Sequence, residues 1–200
     1  MSKRTRRKYL TPEEIKAMVR ATGQMQHPIR DRAMALVMFE LGLRVSELCH
    51  LSMADVSLDR RTVYVRRLKN SISGERPLRG EALRALKEWL GVRPFCKTDR
   101  VFISQHKRPF TRFGLTYLVE QWGRKANMPL RVNPHMLRHA RGYDLINNGG
   151  SQNVVLIGQF LGHRDLRNTM IYVELAPGRF DELLVEDDSQ HSAPAQHEEP

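Results

Sequence analysis

Cysteine, aromatic side chains and long apolar runs are all scarce in this 200-residue chain, and each scarcity narrows what the protein can be. The two cysteines, Cys49 and Cys96, have no metal-ligand spacing, so they read as reduced thiols and exclude a disulfide scaffold. Hydrophobic residues make up 40% of the chain, yet no run approaches the roughly 18 residues of a membrane span. The N-terminus is basic but has neither the apolar segment nor the cleavage site of a secretory signal. These absences predict a cytoplasmic protein with no membrane partner. The last twenty residues hold no Lys or Arg, and residues 185–200 are expected to be an acidic disordered tail.

What the chain has in excess is positive charge, unevenly spread. The net charge is +11, and with the seven acids of residues 181–200 set aside, residues 1–180 carry +18. Charge of that size favours a polyanionic partner, nucleic acid above all. Lys3, Arg4, Arg6, Arg7 and Lys8 form a basic arm over residues 1–9.

The stretch Asn133-Pro134-His135-Met136-Leu137-Arg138-His139 draws most attention. Asn is a good N-cap and Pro is favoured at the first helical position, so a helix is expected from 134 to about 148. His135 and Arg138 then share one face near a helix N-terminus, where partial positive charge and free N–H groups suit a phosphate. His135 and His139 also have zinc-protease spacing, but the Glu that should follow the first His is Met136, and Arg138 would sit beside the cation. Phosphate is the better reading, with no metal.

The rest of the chain reads as helices around a small sheet. Thr11-Pro12-Glu13-Glu14 is a capping box that starts a helix over 12–24. Further helices are expected over 29–41, ending at Gly42, from near Arg44, over 80–90, and from Thr111 to about 126. Residues 62–68 and Glu75–Leu78 predict a β-hairpin with Lys69 at its tip, joined by Val101–Ser104 as a third strand. Ser151 is expected to cap a helix that stops at Gly162. Asp165 or Asn168 should cap another that carries Tyr172, with a last helical turn over 179–184.

Taken together, Gly42-Leu43-Arg44-Val45-Ser46-Glu47-Leu48, Lys69, His135-x-x-Arg138, Leu161-Gly162-His163 and Tyr172 resemble the catalytic half of the tyrosine recombinases, the phage-integrase family. The likeness spans about residues 9–180. Arg67-Leu68-Lys69, residues 135–139 and the expected lack of an N-terminal clamp domain resemble the small bacterial fimbrial-switch recombinases, which invert a promoter-bearing segment.

The resemblance implies an α+β, mainly helical catalytic domain over 10–184, with a small antiparallel sheet beside a helical core. It implies catalytic Arg44, Lys69, His135, Arg138, His163 and Tyr172, with Glu47 in support. Arg44 and Arg138 would clamp the phosphate, Tyr172 attack it, His135 act as base, Lys69 as general acid, and His163 hydrogen-bond the phosphate. His139 has two readings, a contact at the edge of the site or a satisfied core histidine, and the second is favoured. Neither metal nor other cofactor is implied. The implied partners are double-stranded DNA with inverted-repeat sites, three further copies in a tetrameric synapse, and nucleoid DNA-bending helpers, giving a nucleoid-associated location. Arg112, Arg124 and Lys125 join the basic arm as candidate phosphate contacts. Two alternatives use the same scaffold: a catalytically silent DNA-binding regulator, and a type IB topoisomerase-like relaxase.

Overall fold

In the computed structural model, which describes residues 7–67, 71–149 and 153–174, helices dominate and a three-stranded antiparallel sheet flanks them. Helix α1, Pro12–Ala21, begins with the predicted box. The Thr11 hydroxyl accepts from Glu14 N (3.3 Å), and the Glu14 carboxylate accepts from Thr11 N (2.9 Å). It ends three residues earlier than expected, because Thr22–Gln24 tighten into a 3-10 turn.

Helix α2, Pro28–Glu40, is buried on almost every side, from Arg30 and Asp31 through Ala33 to Met38. From Ala33 to Met38 the helix is apolar on every side, which belongs in a core, while the buried Arg30 and Asp31 of its first turns pair with each other. It stops at Gly42, whose φ of 56° is open to glycine. Leu43 N reaches back to Met38 O (2.9 Å), closing a Schellman end. A Cβ on Gly42 would meet Leu161 at 2.6 Å, so the same position lets a distant helix approach.

Helix α3, Val45–His50, follows at once. Then come β1 (Val56–Ser57), β2 (Thr62–Val65) and β3 (Gly74–Pro77), in the order β1-β2-β3, with Val65 opposite Gly74. The two strands of the predicted hairpin pair, with β2 three residues shorter than expected and the Lys69 tip outside the described residues, but the third strand of the sheet is not Val101–Ser104. That segment makes one isolated bridge, Ile103 to Pro109, and the residue before it, Arg100, makes another to Ser52. Val101, Phe102 and Ile103 are all fully buried, so the segment threads the core without a solvent face, and its β-branched composition reflects burial.

Helices α4 (Gly80–Val92), α5 (Arg112–Lys125), α6 (Pro134–Gly149), α7 (Val154–Leu161) and α8 (Arg167–Glu174) complete the fold. Asn133 Oδ1 accepts from His135 N (3.0 Å) at the head of α6, and Asp165 Oδ1 accepts from Arg167 N (2.9 Å) at the head of α8. The cap predicted at Ser151 and the turn over 179–184 lie outside the described residues, as does the acidic tail. A main core runs through α1 to α6. A second, small one joins Ile146, Ile157, Leu161 and Tyr172 of α6, α7 and α8.

Candidate active site

The site is built on one buried carboxylate. Arg44 caps α3, and Glu47, three residues on, turns back: its Oε2 accepts from Arg44 N (2.7 Å) and its Oε1 from Arg44 Nη1 (2.8 Å). The Glu47 side chain is 1% exposed, whereas that of Arg44 is 30% exposed, so one end of the pair reaches solvent. Two more guanidiniums face the same carboxylate. Arg67 is in direct contact with Glu47 Oε2, and Arg138 Nη1 lies 4.0 Å from that oxygen. One anion among three cations leaves excess positive charge at the half-open rim.

Arg138 is buried on α6 and spends its fork on backbone. Nη1 donates to Gly42 O (2.7 Å) and Nη2 to Leu161 O (2.5 Å). Burial first, then Arg44 and Arg67, push its pKa down to about 9, which leaves it cationic at neutral pH.

Arg138 is one of three guanidiniums that meet the end of α7. Arg67 Nη2 donates to Phe160 O (3.0 Å), and Arg76 donates to Phe160 O (3.1 Å) and Gln159 O (2.8 Å). A helix C-terminus offers unpaired carbonyls and partial negative charge, so these contacts fix the turn that follows. Gly162 takes φ of 70° in that turn, and a Cβ there would meet Arg67 Nε at 2.8 Å.

His163 leaves this turn with its Nδ1 2.8 Å from the Thr169 hydroxyl. Burial, aided by Arg138 and Arg44, pushes its pKa down to about 3, so the ring is neutral. A Thr169 O–H donated to Nδ1 leaves Nε2–H free as a donor.

Tyr172 is only 1% exposed. Its ring lies on the backbone of α6 at Gly142, where a Cβ would fall 2.5 Å from it, and packs edge-on to Tyr143. The hydroxyl stands 3.0 Å from His139 Nδ1. Burial raises its pKa to about 12 against the pull of Arg138 and Arg44. His139 is therefore no mere core histidine: its ring is half-buried and its nitrogen meets the tyrosine. His135 is exposed one turn earlier, its pKa lowered by partial burial and by Arg138 and Arg44.

Arg44, Glu47, Arg138, His163 and Tyr172 thus converge from α3, α6, the α7 turn and α8, while Lys69 lies outside the described residues. So do Lys3, Arg4 and Arg6. Arg7 is paired with Glu14, and Lys8, Arg112, Arg124 and Lys125 are exposed. Sequence reading missed Arg67, although a signal was available. Positions 63, 65 and 67 alternate onto one face, and Val63 and Val65 are buried.

Residues 8–179 match the model of the phage integrase family. The type 1 fimbriae regulatory protein FimB of Escherichia coli is 35% identical over 178 residues, 88% of each chain. FimE of the same species is 34% identical over 180 residues, covering 88% of this chain and 90% of its own. Among solved structures, XerA recombinase superposes with a TM-score of 0.77 at 28% identity, over 94% of this chain and 66% of that one.

Proposed function

From the premise that this chain belongs to the phage integrase family, we propose that it cleaves and rejoins DNA through Tyr172 to invert a promoter-bearing segment controlling fimbriae. The chain is a tyrosine site-specific recombinase. The observation that supports the residue assignment is the convergence, from segments far apart in sequence, of Arg44 and Arg138 on the Glu47 carboxylate, with His163 and Tyr172 side by side in the field of the same two arginines.

A phosphodiester gathers negative charge on its non-bridging oxygens as it is attacked. Arg44 and Arg138 supply fixed positive charge there, and electrostatic stabilisation of this kind is usually the largest catalytic contribution. The neutral His163 adds an Nε2–H. Tyr172 passes its proton to His135, the base in this reading, its oxygen bonds to phosphorus, and the bond from phosphorus to the 5′-oxygen breaks, with Lys69 giving a proton to that oxygen. The 3′-phosphotyrosine link keeps the bond energy, so rejoining needs neither ATP nor metal.

Residues 10–184 act as the catalytic domain in this reading. Inverted-repeat duplex DNA is the substrate, four copies form the synapse, and nucleoid DNA-bending proteins assist. Fimbrial control rests on the likeness to FimB and FimE over nearly the whole of each.

The test is a suicide substrate, a nicked duplex carrying candidate inverted repeats, incubated with the protein in EDTA and resolved on a denaturing gel. A covalent adduct with the native protein and none with Tyr172→Phe is expected. An adduct that survives Tyr172→Phe would move the nucleophile elsewhere.

A further inference from the structure

We infer that His139 is an additional site residue, whose Nδ1 accepts the Tyr172 hydroxyl and fixes where the attacking oxygen stands. The inference rests on Tyr172 as nucleophile. Two points on α6, three residues apart, define the tyrosine's seat: Gly142, where a Cβ would fall 2.5 Å from the ring, and His139, whose Nδ1 meets the hydroxyl at 3.0 Å. Residues at this spacing share a helix face, so both contacts come from one rigid surface. The rings of His139 and Tyr172 also meet edge to face, 5.8 Å between centroids.

A phenol that is 1% exposed needs a hydrogen-bond partner, and among the described residues the contact shown is His139. The charge state of the ring permits the hydroxyl to donate, with Nε2 carrying the imidazole hydrogen in this tautomer. Burial, then His135, Arg138 and Lys8, hold His139 below its ordinary pKa, so the ring is neutral at pH 7 and can offer a lone pair to a donating O–H. His135, the histidine that motif reading favours, uses its backbone N on Asn133 and presents an exposed ring. The two histidines of the same turn therefore divide the work: His135 faces the solvent side, where a phosphate arrives, and His139 holds the oxygen that attacks it.

The shape of imidazole makes this testable. Asn places a polar atom where Nδ1 stands, Gln places one nearer the Nε2 position, and Leu places none. Single-turnover adduct formation on the suicide substrate is measured for His139→Asn, His139→Gln and His139→Leu, alongside DNA affinity, thermal unfolding and a Tyr172→Phe control.

The expected result is at least a tenfold loss of cleavage rate in His139→Leu, with DNA affinity within about twofold of native, and recovery of most of that loss in His139→Asn but not His139→Gln. If His139→Leu unfolds, the Asn-to-Gln comparison carries the test. Cleavage by His139→Leu within twofold of native would overturn the inference, as would equal rates for Asn and Gln. A loss that follows DNA affinity would make His139 a packing residue. An adduct in Tyr172→Phe would instead remove the nucleophile assignment on which the inference stands.

Discussion

Glu47 and Arg67 form an ion pair closed to solvent, with side chains 1% and 0% exposed, across twenty residues of sequence. Burial lowers the pKa of Arg67, against the attraction of Glu47 and with Arg44 and Arg76 adding to the cost. Charges in such a setting are tolerated because each is paired and because the second arm of the fork meets Phe160 O. The pair joins the hairpin, α3 and the end of α7, the three pieces that surround the reacting phosphate in the proposed mechanism.

Removing one partner should therefore cost more than the pair contributes. Arg67→Met leaves Glu47 with two cations and takes one of two donors from the Phe160 carbonyl, so that Arg76 alone ties the hairpin to the end of α7. Breaking a buried pair typically costs about 3–5 kcal/mol. Urea denaturation should register a loss of that order, and a change below about 1 kcal/mol would mean that Arg44 and Arg138 satisfy Glu47 unaided. Arg67→Lys should restore little, since one ammonium cannot reach both Glu47 and the helix end as a fork does.

Much of this scaffold is legible in the order of the residues. Thr11, Asn133 and Asp165 announce helix starts because their side chains satisfy N–H groups locally, and Gly42 and Gly162 announce stops because few other residues adopt their φ. The site residues Arg44, Arg138, His163 and Tyr172 are legible only as an ordered set of motifs, since each alone is a common residue. Val101–Ser104 misleads because buried strands and buried loops share a composition. Arg67 escapes a sequence reading, and His139 is weighed as a site-edge residue but read as core, for a different reason: their partners, Glu47 and Tyr172, are fixed by tertiary packing that local spacing does not encode.

Gly142→Ala tests the seat of the nucleophile from below. The added Cβ would fall 2.5 to 2.8 Å from three atoms of the Tyr172 ring, so α8 must move. Overpacking of this kind costs about 1–3 kcal/mol. Thermal unfolding should shift down by a matching few degrees, and adduct formation should fall more steeply than DNA binding. An unshifted midpoint with full cleavage would show that the ring readily finds another position.

The pH dependence of stability should run through His163. Its folded pKa, about 3, lies below the roughly 6.5 of an unfolded histidine, so the unfolded state binds a proton that the folded state refuses. Its contribution is fully present above pH 6.5 and is lost as pH falls toward 3. His135 and His139, both lowered, act in the same sense. Urea midpoints measured between pH 7 and 4 should decline, and His163→Phe should flatten the decline. A slope unchanged in that variant would assign the titration to other groups.

The basic arm gives the last test, because affinity for DNA and its salt dependence report different things. Deleting residues 1–8 removes Lys3, Arg4, Arg6, Arg7 and Lys8, of which Arg7 is already paired with Glu14. If the other four each neutralise a phosphate, the slope of log K against log salt should flatten by about 3 to 4. An arm that only raises solubility would leave that slope unchanged. Alanine at Arg112, Arg124 and Lys125 makes the matching comparison, since these exposed cations stand on α5 rather than on the arm. A slope that responds to α5 and not to the arm would place the DNA backbone across the helical face. The reverse would make the arm the main electrostatic grip of a chain that gains each phosphate contact separately.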